Sequence, residues 1–311
     1  MPSTDRVKTF RTIAIFAALC AYGVAVLGSW VRINGAGMTC PDWPLCDGAL
    51  IPSLQGGVIL EWLHRLLVLV LSFLIITIAI VGWRVRSEIA GMKPMLAFLG
   101  GAFVLQVGLG GVTIFQANSP PSVTMHWGAA MLLLAAFTAL AVLGMMAPQP
   151  GEDSASEYAL APLGLALLGA LITMLLGAYV SSSGAGLACR DVPLCGGTAF
   201  GANTAQFLQM LHRSAAFIML FIAIYAFMAV GVTQVLVRRF AGLALILVSL
   251  QIVLGISNVI WALPTPLREA HAANAALVFI VYIVALTLSR IEAATTEGYA
   301  SGRVSRAARA L

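Results

Sequence analysis

All four histidines of this 311-residue chain fall at matched positions of an internal duplication. The stretch G-A-G-M-T-C-P-D-W-P-L-C-D-G begins at Gly35, and G-A-G-L-A-C-R-D-V-P-L-C-G-G begins at Gly184, 149 residues later. Each is followed by a histidine-arginine pair at the start of an apolar run, His64-Arg65 and His212-Arg213. L-Q-V-G-L-G around Gln106 then echoes L-Q-I-V-L-G around Gln251, and His126 echoes His271. Two imidazoles presented from different helices of a bundle form an axial pair for heme iron. Small residues follow three of the histidines, in Gly128-Ala-Ala, Ser214-Ala-Ala and Ala272-Ala, and leave room for a flat macrocycle. Zinc or copper would need further nitrogen, sulfur or carboxylate ligands at the same depth, and the sequence offers few. Arg65 and Arg213 suit heme propionates through charge-assisted hydrogen bonds, or alternatively snorkel to the membrane interface.

The two copies diverge at one chemically telling position. The first reads Glu61-Trp-Leu-His64-Arg65 and the second Gln209-Met-Leu-His212-Arg213. Residues three apart share a helix face, so Glu61 points the same way as His64. An ionisable carboxyl in a membrane helix is costly and marks a functional site by default. The neutral duplicate Gln209 implies that the fold does not itself require the acid. The first copy is thus expected to carry chemistry and the second to hold a cofactor; a solvated Glu61 at the interface is the other reading.

Four of the five cysteines form two Cys-x5-Cys pairs, Cys40/Cys46 and Cys189/Cys195. In an oxidising compartment such close thiols are expected to close disulfide rings, each stabilising its loop by roughly 2 kcal/mol. Two readings stand: structural pins, or a redox-active pair exchanging with a thiol carrier. The x5 spacing and absence of loop histidines disfavour zinc, and no Cys-x-x-Cys-His is present for covalent heme. Cys20 reads as a small apolar packing residue.

The elements that must position these groups are membrane helices. The chain is 60% hydrophobic and only 9% charged, with a mean hydropathy of +0.98, which excludes a soluble globular domain. Eight apolar stretches, near 12–31, 59–82, 94–115, 123–146, 159–180, 206–230, 240–261 and 269–289, are each about long enough to span a bilayer. Twelve of the seventeen basic residues fall before helix 1, between helices 2 and 3, between 6 and 7, or after helix 8. The positive-inside rule then makes both termini cytoplasmic and the cysteine loops extracytoplasmic. The net charge of +5 follows from this asymmetry and implies no nucleic-acid partner, although the basic C-terminal tail suits anionic lipid. Pro148–Glu157 reads as a polar cytoplasmic linker. Four helices per copy is an even number, so both copies insert in the same sense, related by an axis along the membrane normal. The fold expected is an all-α membrane protein of two pseudo-symmetric four-helix bundles, residues 1–150 and 151–311.

Taken as a set, the E-x-x-H-R element, two cysteine pairs, four helix-borne histidines and eight spans resemble the heme A synthase family of bacterial membranes over essentially the whole chain. The resemblance implies oxidation of a ring methyl of heme O to a formyl group through hydroxylated intermediates, for cytochrome oxidase biogenesis. It implies that His212 and His271 ligate a resident heme b, that His64 and His126 hold the substrate heme, and that Glu61 is the catalytic carboxylate. The cysteine pairs match one subset of that family. The partners it implies are heme O, membrane lipid, an electron donor whose identity the sequence leaves open, heme O synthase and oxidase assembly factors. Two rival readings fit the histidines: a diheme cytochrome for quinone electron transfer, which leaves Glu61 unexplained, and a heme transporter or chaperone, for which no broken-helix path is evident.

Overall fold

The computed structural model describes residues 3–146 and 157–300. The expected linker, apart from Glu157, and the tail arginines Arg303, Arg306 and Arg309 lie outside the described residues. The described chain is helical throughout apart from its loops: α1 (Ser3–Ile33), α2 (Gly57–Arg84), α3 (Met92–Phe115), α4 (Pro120–Met146), α5 (Glu157–Ser182), α6 (Thr204–Ala229), α7 (Val235–Ile260) and α8 (Thr265–Ala300). All eight are long and apolar enough to cross a membrane, and the chain is a multi-pass membrane protein. Helix is the natural solution in lipid, because every backbone N–H and C=O must find a partner inside its own segment. The helices overrun the apolar stretches, most of all α1, which begins at Ser3, and α8, which continues to Ala300. Nothing in the polar flanks breaks the backbone pattern, so helix outlasts hydrophobicity.

Burial separates the helices into two kinds. Within the apolar windows, 72% of α4 and 56% of α8 are buried inside the protein, against 28% or less for the other six. Accordingly α4 packs on α1, α3, α5 and α8, and α8 packs on α1, α4, α5 and α7. Alanines along α4 and α8, such as Ala136, Ala139, Ala276 and Ala285, are buried. Small side chains let helix backbones approach where lipid offers no hydrophobic drive. The remaining packing runs α1–α2–α3–α4 and α5–α6–α7–α8.

Local features repeat with the duplication. After α3 the chain turns through Ala117 and Asn118, and after α7 through Ala262 and Leu263, all four with positive φ. These left-handed turns, costly for residues with a Cβ, start the short descents into α4 and α8 that carry His126 and His271. Asn203 caps α6, its side chain accepting from the Gln206 amide at 3.0 Å, a cap worth about 1 kcal/mol.

Candidate functional site

The two cysteine loops are built alike. Gly35 and Gly184 carry φ of 70° and 74°, a left-handed bend that glycine adopts without strain. Cys40–Cys46 and Cys189–Cys195 are disulfide-bonded, with Cα–Cα separations of 4.7 and 5.0 Å, and each ring closes on a small antiparallel bridge, Cys46 to Ala49 and Cys195 to Thr198. Inside the first ring, Asp42 accepts from the amides of Asp47 at 2.7 Å and Gly48 at 2.9 Å. The Gly48 amide, helped by that of Asp47, holds the Asp42 carboxyl below the usual carboxylate range against a smaller opposing desolvation. Asp191 repeats the contact with Gly196.

The arginines beside the helix 2 and helix 6 histidines stitch these loops down. Arg65 donates to the carbonyls of Asp42 (2.7 Å), Cys40 (3.1 Å) and Leu45. Arg213 donates to those of Asp191 (2.6 Å) and Cys189 (2.8 Å). Their guanidinium hydrogens are thereby engaged by loop backbone.

Glu61 is buried, 4% exposed, as is Gln209, so the solvated reading of Glu61 fails. One Glu61 oxygen accepts from the Cys40 amide at 2.9 Å and the Thr39 hydroxyl at 3.0 Å; the other pairs with Arg65 at 2.7 Å. Gln209 accepts from the Cys189 amide in the same way, and its amide nitrogen donates to the Gly186 carbonyl at 2.9 Å. A carboxylate cannot donate, so only the first copy places a negative charge beneath the loop.

All four histidines, with Glu61 and Gln209, line a cavity of about 1000 Å³, at the top of the ~300–1,000 Å³ range of small-molecule sites. Cys46, Trp43 and Leu45 of the first loop and Val192 and Pro193 of the second border it too. Each imidazole lies against a glycine of a neighbouring helix. A Cβ at Gly28 would stand 2.8 Å from Cε1 of His64, at Gly177 2.8 Å from that of His212, at Gly110 3.4 Å from that of His126, and at Gly255 3.2 Å from that of His271. At Gly28 and Gly177 a Cβ would force the ring to move, while at Gly255 the contact would be tight and at Gly110 close to ordinary. Of these, Gly110 and Gly255 end the L-Q-x-x-L-G echo, while Gly28 and Gly177 carry no motif that would single them out.

The two histidine pairs differ. His212 and His271 face each other with ring centroids 6.5 Å apart and planes at 82°. A metal between two imidazoles needs a centroid separation of about 6 Å, from two metal–nitrogen bonds of ~2 Å plus the depth of each ring. The ring Nδ1 atoms of all four histidines are buried, and the backbones of Gln106, Thr173 and Gln251 lie against the rings of His126, His212 and His271. Two imidazoles at the separation of the second pair suit the two axial positions of a heme iron. In the first pair, the Gln106 amide lies 3.4 Å from His126 Nε2. Its counterpart Gln251 donates to the His271 carbonyl at 2.9 Å and accepts from Asn274 at 2.7 Å. Asn274 has Ala129 as its duplicate; sequence reasoning missed it because a lone buried asparagine carries no motif.

Residues 11–58 and 54–283 match the COX15-CtaA family, described as cytochrome oxidase assembly protein. Among similar proteins, the heme A synthase of Bacillus licheniformis is 29% identical over 221 residues, covering 68% of this chain and 72% of the relative. That of Symbiobacterium thermophilum is 30% identical, covering 68% and 73%. That of Bacillus mycoides is 27% identical over 307 residues, covering 93% of this chain and 97% of the relative. With a match that runs through all eight helices and every histidine, the chain belongs to the COX15-CtaA family of cytochrome oxidase assembly proteins.

Proposed function

We propose that the chain is a heme A synthase, an oxidoreductase that converts a ring methyl of heme O to a formyl group through hydroxylated intermediates. The observation that carries this reading is the divergence of two otherwise duplicated sites around the same histidine scaffold. The second pair has its ring centroids 6.5 Å apart and the neutral Gln209 beside it, while the first has a carboxylate beside it and a glutamine on its ring. A diheme cytochrome would need two sites of the second kind and no Glu61.

His212 and His271 would hold a resident heme b, whose chemistry is one-electron relay. His64 and His126 would hold the substrate heme. Glu61, fixed by three donors, would present charge to the substrate from a rigid seat and steady positive charge developing at the ring-methyl carbon, or accept its proton. Arg65 supports this by neutralising one carboxylate oxygen and holding the loop over the cavity. The disulfides serve as loop pins in this reading, since in each half an arginine bonds the ring's carbonyls and the residue at the Glu61 or Gln209 position accepts from the first cysteine's amide.

Residues 1–150 and 151–311 would form two four-helix bundles related by an axis along the membrane normal, the first for substrate and the second for cofactor. The matched glycine–histidine contacts and left-handed turns support that division. The distribution of basic residues supports cytoplasmic termini in a bacterial membrane and extracytoplasmic cysteine loops. Heme O synthase, oxidase assembly factors and an electron donor are the partners this role requires.

The deciding experiment extracts hemes from cells expressing the chain together with a source of heme O. Heme A appearing on chromatography is the expected result. Its absence, with the protein present and heme-loaded, would favour a cytochrome or a carrier.

A further inference from the structure

We infer that Arg32 and Arg268 form a carboxylate-binding site at the junction of the two halves, where they grip a propionate of the macrocycle held by His212 and His271. The inference rests on the heme reading above and adds the residues that hold the acid side chains. Four arginines line the cavity: Arg32, Arg65, Arg213 and Arg268. Arg65 and Arg213 are engaged by loop carbonyls. Arg32 makes one hydrogen bond, to the Ser181 hydroxyl at 2.6 Å, and the Arg268 guanidinium has no hydrogen-bond partner among the described residues. A guanidinium has five donors in a planar fork suited to a carboxylate, so most of this pair's donors are unused.

Position strengthens the argument. Arg32 lies in the last turn of α1, four residues beyond the glycine that abuts His64. Arg268 lies in the first turn of α8, three residues before His271 and on the same face. A cation at a helix N-terminus opposes the macrodipole, so its presence there calls for an anion. Glu269 lies within electrostatic range of Arg32, and the Ser29 hydroxyl approaches its carboxyl. Two guanidinium groups against one carboxylate leave a positive excess facing the cavity.

The cluster also exists only once. The duplicates of Arg32, Arg268 and Glu269 are Ser181, Val123 and Thr124, none of them charged. Arg32 in fact bonds its own repeat-mate Ser181 across the junction. A charged set assembled from the end of α1 and the start of α8, with no second copy, serves the junction and not each bundle separately.

The test titrates the full-length, heme-depleted protein in detergent with iron protoporphyrin IX and with its dimethyl ester, which lacks the acid groups. The wild type is expected to bind the free acid at least tenfold more tightly than the ester, both giving the low-spin spectrum of two imidazole ligands. Arg32→Gln and Arg268→Gln should bring that ratio close to one by weakening the acid alone, and Arg32→Lys should recover part of it. A wild-type ratio near one, an unchanged ratio in both variants, or equal weakening of acid and ester would overturn the site. Failure of both probes to give the two-imidazole spectrum in wild type would overturn the heme reading itself, and this inference with it.

Discussion

Glu61 and Gln209 receive the same hydrogen bond, from the amide of Cys40 in one half and of Cys189 in the other. The duplication thus supplies its own control for the acid: a glutamine already fills that socket and holds that loop. Glu61→Gln should therefore keep the fold and the spectrum of the second-half heme while heme A formation is lost. Glu61→Ala leaves the Cys40 amide and Thr39 hydroxyl without their acceptor and should destabilise by roughly 2–3 kcal/mol. Normal heme A output from Glu61→Gln would remove the carboxylate from the mechanism.

His271→Ala and His212→Ala should each lose the tightly held heme, read as disappearance of the low-spin absorption bands in purified protein. Persistence of those bands in either variant would break the assigned pair. The glycines behind the rings give a finer probe. Gly177→Ala puts a Cβ 2.8 Å from the His212 ring and should shift or broaden the heme spectrum. Gly23→Ala, with nothing within 4 Å of its Cβ, should leave it unchanged.

Asn274 donates to the Gln251 side chain, whose amide nitrogen in turn bonds the His271 carbonyl. Asn274→Ala releases Gln251 to take the position that Gln106 holds against His126. A second-layer loss of this kind typically costs ten- to a hundredfold in affinity. Heme binding titrations should show a fall of that order, and the double variant with Gln251→Ala should restore part of it.

Asp42 contributes to the first cysteine loop only while ionised. Its folded value lies below the ordinary one because the Gly48 amide bonds the charged form. The contribution is therefore complete above the unfolded carboxylate value and is lost as pH falls through the lower, folded value. Hydrogen exchange of the Asp47 and Gly48 amides should rise in that acid range beyond its intrinsic pH dependence. In Asp42→Asn the two amides should lose protection already at neutral pH, with no added acid step.

Composition and spacing alone determined the membrane class, the eight helices, the duplication and the histidines as a matched set. These are properties of long apolar runs and repeated motifs, and lipid leaves a chain few ways to satisfy its backbone. The cysteine pairing was also legible, because six residues of separation bring two thiols together almost regardless of the fold. The tertiary structure decided the rest. That Arg65 and Arg213 spend their donors on loop carbonyls depends on how the loops settle over the helices, which no helical periodicity encodes. The bonds of the Gln251 side chain to Asn274 and to the His271 carbonyl join α7 to α8. The meeting of Arg32 with Ser181 joins residues of α1 and α5, whose neighbourhood exists only once the two halves pack. Electrostatic and hydrogen-bond partners between helices are set by which faces meet, and that is the information a single sequence holds least directly.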